Sequence, residues 1–131
     1  MQDNHEKVLV LDFGGQYNQL IARRVREAGV YSELIPHDAP LERIKGDALS
    51  AIILTGGPDS AYEEGAKACD NAVFSLGVPV LGICYGMQYL AKVFGGAIAS
   101  APIREYGHTK IRFAQHPLFD GMGDVVWMNH N

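Results

Sequence analysis

The stretch VPVLGICYGMQYLAKVFGG, residues 78–96, changes its period at its centre. Val78 to Ile83 is a short, continuous apolar run, which suits a strand buried on both faces. Pro79 fits only at its start, where no ladder donor is needed. Tyr89 to Phe94 continues a helix, and Gly95-Gly96 terminates it. The junction between the two elements is Gly82-Ile83-Cys84-Tyr85-Gly86.

The same alternation extends upstream. Val8 to Leu11 is a second buried run, bounded by Gly14-Gly15, and Ala51 to Leu54 is a third, leading into Thr55-Gly56-Gly57-Pro58. Tyr31 to Ile35 reads as a further strand, ended by Pro36. Tyr17 to Ala28 is amphipathic, with Leu20, Ile21, Val25 and Ala28 on one face and Gly29 as its stop. Pro40 to Lys45 holds a short helix with proline in its first turn. Glu64 to Leu76 is helical in pattern, and Gly77 ends it. Strands alternating with helices predict an α/β fold: an open, mostly parallel twisted sheet with helices on both faces. After Gly96 the pattern changes. Thr109 to Phe113 alternates polar and apolar, as in a half-exposed antiparallel strand, and Asp124 to Met128 is another strand candidate. With no repeats, low-complexity tracts or linkers, residues 1–131 read as one domain. An α/β domain that stops directly after a strand, with no closing helix, reads as cut short.

Gly82 to Gly86 has the layout of the elbow Gly-x-Ser-x-Gly, with sulfur in place of oxygen. A sharp strand-to-helix turn exposes the nucleophile above the sheet, and glycines on either side remove β-carbons that would collide. The helix that follows aims the positive end of its dipole at the sulfur. The Tyr85 backbone N–H is then half of an oxyanion hole. Gly56-Gly57 follows a neighbouring parallel strand, so it lies at the same carboxyl edge and is the candidate for the second half. A lone cysteine is more often a small core hydrophobe, but the strand before it, the helix after it and the Gly-Gly loop beside it favour function. Cys69 lacks that setting and reads as a structural residue within the 64–76 helix.

The bulk numbers narrow the classes. At 131 residues, 47% hydrophobic and 20% charged, the chain builds a real core and is no disordered segment. The formal charge of −4 gives no electrostatic reason to bind nucleic acid or anionic membrane. The apolar runs are too short to span a bilayer, and Met1 to Lys7 is no signal peptide. Two unrelated cysteines suit a reducing, cytoplasmic protein. The five histidines show no metal-ligand spacing. Gly14-Gly15 could cradle a phosphate at a helix start, but neither dinucleotide nor phosphate-loop pattern surrounds it. Asp12-Phe13-Gly14 spells a kinase motif by chance, since the other kinase elements are missing.

Gly82-Ile83-Cys84-Tyr85-Gly86-Met87-Gln88 resembles the nucleophile motif of class I glutamine amidotransferases, a flavodoxin-like family. Leu11 to Asp38, Thr55 to Pro58, Arg104 to Gly107 and Val126 to His130 resemble, in order, the amidotransferase domains of GMP synthetases within it. The resemblance implies that Cys84 attacks the side-chain amide of L-glutamine, giving a thioester and ammonia. It implies oxyanion-hole N–H groups from Gly57 and Tyr85. Gln88 would help hold the amino-acid end of glutamine, with backbone around Asn129 and His130 closing the pocket. No cofactor is expected in this domain. ATP and Mg belong to a partner synthetase, on a separate domain or chain, which is an ATP pyrophosphatase that adenylates XMP before ammonia converts it to GMP. The family's catalytic His and Glu stand in a His-Pro-Glu motif that these 131 residues do not contain, because His116-Pro117 is followed by Leu118 and precedes the Val126 to His130 segment. The stretch alone is therefore expected to turn over glutamine barely or not at all. Two other readings are a non-catalytic docking or regulatory module, and the amidotransferase of anthranilate or carbamoyl phosphate synthesis.

Overall fold

Leu9, Val10 and Leu11, the middle of the first strand, are fully buried, because both faces of that strand are covered. The computed structural model describes residues 6–46, 48–57, 61, 64–96, 105–110, 123 and 125–130. The chain forms two compact units, Met1–Ile98 and Ala99–Asn131. In chain order the first unit holds β1 (Lys7–Asp12), α1 (Asn18–Glu27), β2 (Tyr31–Pro36), α2 (Leu41–Ile44), β3 (Leu49–Leu54), a 3-10 helix (Asn71–Ser75), β4 (Val80–Gly82) and α3 (Tyr85–Val93). Its four strands are all parallel, in the order β2-β1-β3-β4.

Side chains divide between the two faces with the period of a strand. Leu9, Leu11, Ile52 and Leu54 pack on one side with Ile44, Val73, Tyr85 and Tyr89, from α2, the 3-10 helix and α3. Val10 and Ile53 pack on the other with Ala22, Ile21 and Val25 of α1. Helices thus cover both faces, as the alternation of elements predicts.

Three details depart from the sequence reading. In α1 the inward positions are Asn18, Ile21, Ala22 and Val25, whereas Leu20 is 40% exposed and Ala28 is exposed. The i, i+3, i+4, i+7 series starts from a polar residue, and hydrophobicity alone misplaces it. The predicted helix from Glu64 to Leu76 is an irregular strap that tightens into the 3-10 helix only at Asn71. Its carbonyls are taken by side chains from elsewhere: Lys67 O accepts from the Tyr85 hydroxyl at 2.5 Å, Cys69 O from the Tyr89 hydroxyl at 3.2 Å, and Ala68 O from His37 Nδ1 at 2.7 Å. Asp70 Oδ1 accepts from Ala72 N at 3.0 Å and starts the 3-10 turn. Cys69 is therefore buried in a strap and not in a helix.

The second unit contains an antiparallel pair, β5 (Glu105–Lys110) and β6 (Val125–His130), in register from Glu105 opposite His130 to Lys110 opposite Val125. β5 starts four residues before the predicted Thr109. Gly107 interrupts the side-chain pattern there, while ladder pairing sets the strand. Residues 111–113 and 124 lie outside the described residues. No helix among the described residues is long and apolar enough to cross a membrane.

Candidate active site

Leu11, Leu54 and Gly82 stand in register, so the loops after β1, β3 and β4 leave the sheet at one level. The chain passes from β1 to one neighbour, β2, through α1, and β3 lies on the opposite side. That is a topological switch point, where open α/β sheets leave a crevice. A cavity of about 360 Å³ occupies it, lined by Gly14 to Asn18, Ile21, Gly56, Gly57, Ile83 and Cys84.

Cys84 has φ 51° and ψ −110°, and it is the one non-glycine residue with positive φ among the described residues. Such a conformation costs about 1–3 kcal/mol and persists only where surrounding bonds over-determine it. Those bonds are present. Ile83 N donates to Leu54 O, and Gly86 N to both Thr55 O and Ile83 O, each at 2.9 Å, while Gln88 N returns to Cys84 O at 3.1 Å. The turn also needs a bare backbone at residue 86, since a β-carbon there would run into the Leu54 carbonyl oxygen and lie 2.6 Å from Leu54 Cβ. The thiol of Cys84 is exposed and that of Cys69 is buried.

Thr55, which the sequence reading treats as loop, joins the strand ends. It is fully buried. Its hydroxyl donates to Leu11 O at 2.9 Å and accepts from Phe13 N at 3.1 Å. Only the polar residue at the end of an apolar strand signals it in sequence.

The structure brings Cys84 and Gly57 to one cavity. A β-carbon on Gly56 would make ordinary contact with Cys84 Cβ at 3.5 Å, whereas one on Gly57 would lie 2.5 Å from Phe13 O, so at residue 57 the loop approaches its neighbour too closely for a side chain. The Gly57 N–H has no partner among the described residues. Tyr85 opens α3, and its ring is buried, 5.2 Å from that of Phe13. Gln88 is one turn further on and is not among the residues lining the cavity. Its Oε1 accepts from Ala61 N at 3.2 Å, and Lys92, one turn later, donates to Ala61 O at 3.0 Å. Asn129 and His130 are on β6, paired with Tyr106 and Glu105, within the second unit.

Burial pushes the Cys69 thiol up. Burial, then the neighbouring Cys69, raises the Tyr89 phenol to about 12. Both groups are neutral packing residues near neutral pH. Among the described residues no group of His, Cys, Asp and Glu side chains is arranged to hold a metal ion.

A parallel α/β sheet that presents a cysteine on a strained turn at its switch point, beside a bare Gly-Gly loop, defines an α/β protein with a cysteine elbow. The chain belongs to the class I glutamine amidotransferases, since the family model "Glutamine amidotransferase class-I" matches residues 9–131. It is 56% identical over 130 residues to a GMP synthase [glutamine-hydrolyzing] of Ruminiclostridium cellulolyticum, covering 97% of this chain and 25% of that protein. With the enzyme of the same name from Caldicellulosiruptor saccharolyticus it shares 55% over 129 residues, 96% of this chain and 25% of that one. A solved structure from Thermoplasma acidophilum, of a protein provisionally named as one subunit of a GMP synthase, aligns with TM-score 0.79 and 31% identity, over 99% of this chain and 67% of that one. The chain thus spans about a quarter of the length of the curated relatives it matches.

Proposed function

We propose that this chain is the glutamine-hydrolysing part of a GMP synthase. The observation that carries the reading is Cys84, held at positive φ on an exposed turn and opening onto a cavity shared with Gly57. The Cys84 sulfur attacks the carboxamide carbon of L-glutamine. Oxygen becomes negative between the N–H groups of Gly57 and Tyr85. The C–N bond then breaks as nitrogen takes the proton that the thiol gave up, so ammonia leaves and a γ-glutamyl thioester remains. Water cleaves the thioester to glutamate and restores the thiol. Gln88, one turn along α3 from Cys84, holds the amino-acid end of the substrate.

Residues 1–131 act as one amidotransferase domain without a cofactor of its own. The names of the relatives, glutamine-hydrolysing GMP synthases, support a place in GMP synthesis. In this reading the ammonia passes to an ATP- and Mg-using synthetase, on the same or a separate chain, which aminates XMP to GMP in purine nucleotide synthesis. Neither nucleic acid nor membrane is a partner, and two free thiols suit the cytoplasm.

One observation favours a second reading, a non-catalytic docking module. Among the described residues, none that lines the cavity carries an imidazole, carboxylate or amine to serve as base. The test is intact-mass labelling of the full-length protein with a chloroketone analogue of glutamine, with Cys84→Ala as control. The amidotransferase reading expects one label per chain, blocked by glutamine and lost in the control. No labelling, or equal labelling of Cys69, favours the module.

A further inference from the structure

Asn18 begins α1, lines the same cavity as Cys84 and is only 3% exposed. Its Nδ2 donates to Asp12 Oδ1 at 2.6 Å and, more weakly at 3.5 Å, to the Gly56 carbonyl. Asp12 Oδ1 also accepts from Gly14 N at 2.7 Å. A carboxylate and a carbonyl oxygen only accept, so the amide group that faces both must be the NH2. That chemistry fixes the orientation of the Asn18 side chain without any need to see hydrogens. Oδ1 is then turned toward Gly15, where a built β-carbon would lie 2.8 Å from it.

No donor among the described residues reaches Asn18 Oδ1. Yet no sealed-off side-chain oxygen or nitrogen among them lacks a partner. Oδ1 therefore keeps an open edge, and Asn18 and Gly15 both line the cavity. A nine-tenths buried acceptor with fixed polarity and unfilled lone pairs seeks an N–H or O–H donor.

We infer that Asn18 is a specificity residue that reads the nitrogen of the substrate carboxamide, accepting first from its NH2 and then from the departing ammonia. The inference rests on the amidotransferase reading above. Asp12 is the positioning residue, because it prevents the Asn18 amide from turning over. An acceptor held this way favours an amide, which has protons to give, over the carboxylate of the glutamate product, which has none.

The test compares glutamine with glutamate γ-methyl ester in the full-length protein. The ester has the same carbon chain but a leaving oxygen without N–H. In Asn18→Ala, kcat/KM for glutamine falls about 10-fold, whereas that for the ester changes by less than about 2-fold. Asp12→Ala, which removes the acceptor that holds the Asn18 NH2, frees the amide to turn and shifts the amide-to-ester ratio in the same direction. The chloroketone, which also lacks the N–H, labels Cys84 in both variants at the parent rate and so reports an intact site. Parallel loss on amide and ester, or no loss on either, overturns the inference. If Asn18→Ala takes no label, the ratio is read on Asp12→Ala, where an unchanged ratio overturns it. A parent protein whose Cys84 takes no label sinks the amidotransferase reading and this one with it, a result distinct from all the others.

Discussion

The backbone N–H of Gly86 donates to the carbonyl of Thr55 at 2.9 Å, so the turn that carries Cys84 is tied to the residue just before Gly56-Gly57. The two halves of the site are thereby held by main chain, and a side chain at residue 86 would force them apart. Gly86→Ala is expected to lose about 3 kcal/mol of stability and all chloroketone labelling, because the clash is with the backbone of Leu54. Gly46→Ala, where an added methyl meets nothing within 4 Å, should change stability by less than about 0.5 kcal/mol. Urea midpoints of the two variants decide it, and a Gly86→Ala protein that labels normally contradicts the geometry.

The strain at Cys84 is open to a direct comparison. At φ 51° a glycine is comfortable and an alanine is not. Cys84→Gly should therefore be more stable than Cys84→Ala by about 1 kcal/mol, after the entropic cost of glycine offsets part of the relief. Equal stabilities, or alanine ahead, would remove strain from the account of the turn.

Gln88 separates two roles. Its Oε1 holds Ala61, while the proposed substrate contact needs its NH2. Gln88→Glu keeps the acceptor and loses the donor, so KM for glutamine should rise about 10-fold with little change in Tm. Gln88→Ala should lower both Tm and substrate affinity. If Gln88→Glu leaves KM unchanged, the residue only anchors the loop.

Alkali should weaken the fold in a defined window. Burial raises the Cys69 thiol above 9.0 and the Tyr89 phenol from 10.0 to about 12. The folded state keeps protons that the unfolded chain releases, so stability is intact below about pH 9 and falls as pH rises toward 12. Urea midpoints measured from pH 8 to pH 11.5 should decline in the parent, and less steeply in Tyr89→Phe. A parallel decline in both would show that Tyr89 is not responsible.

Much of the fold was legible in sequence because buried parallel strands leave continuous apolar runs, and Val8 to Leu11 and Ala51 to Leu54 are such runs. The elbow was legible because its glycines answer local sterics within one turn. Thr55 and Asn18 were not legible, since their meaning comes from partners far along the chain: Thr55 bonds to residues 42 and 44 positions away, and Asn18 reaches Gly56 across 38. The same reason defeats the helix expected from Glu64 to Leu76. Its side-chain pattern is helical, but tertiary donors claim the carbonyls that a helix would use.

Those donors lie 18, 20 and 31 positions from the carbonyls they bind, on α3 and just after β2. The strap from Lys67 to Cys69 consequently has no order of its own to fall back on. It takes shape only after its distant partners have assembled, and any loosening of α3 releases it first. The buried thiol of Cys69 sits within that strap. Its rate of capture by a thiol reagent is therefore a clock for the partial opening of this half of the sheet, running at a pace set by the docking of one short helix.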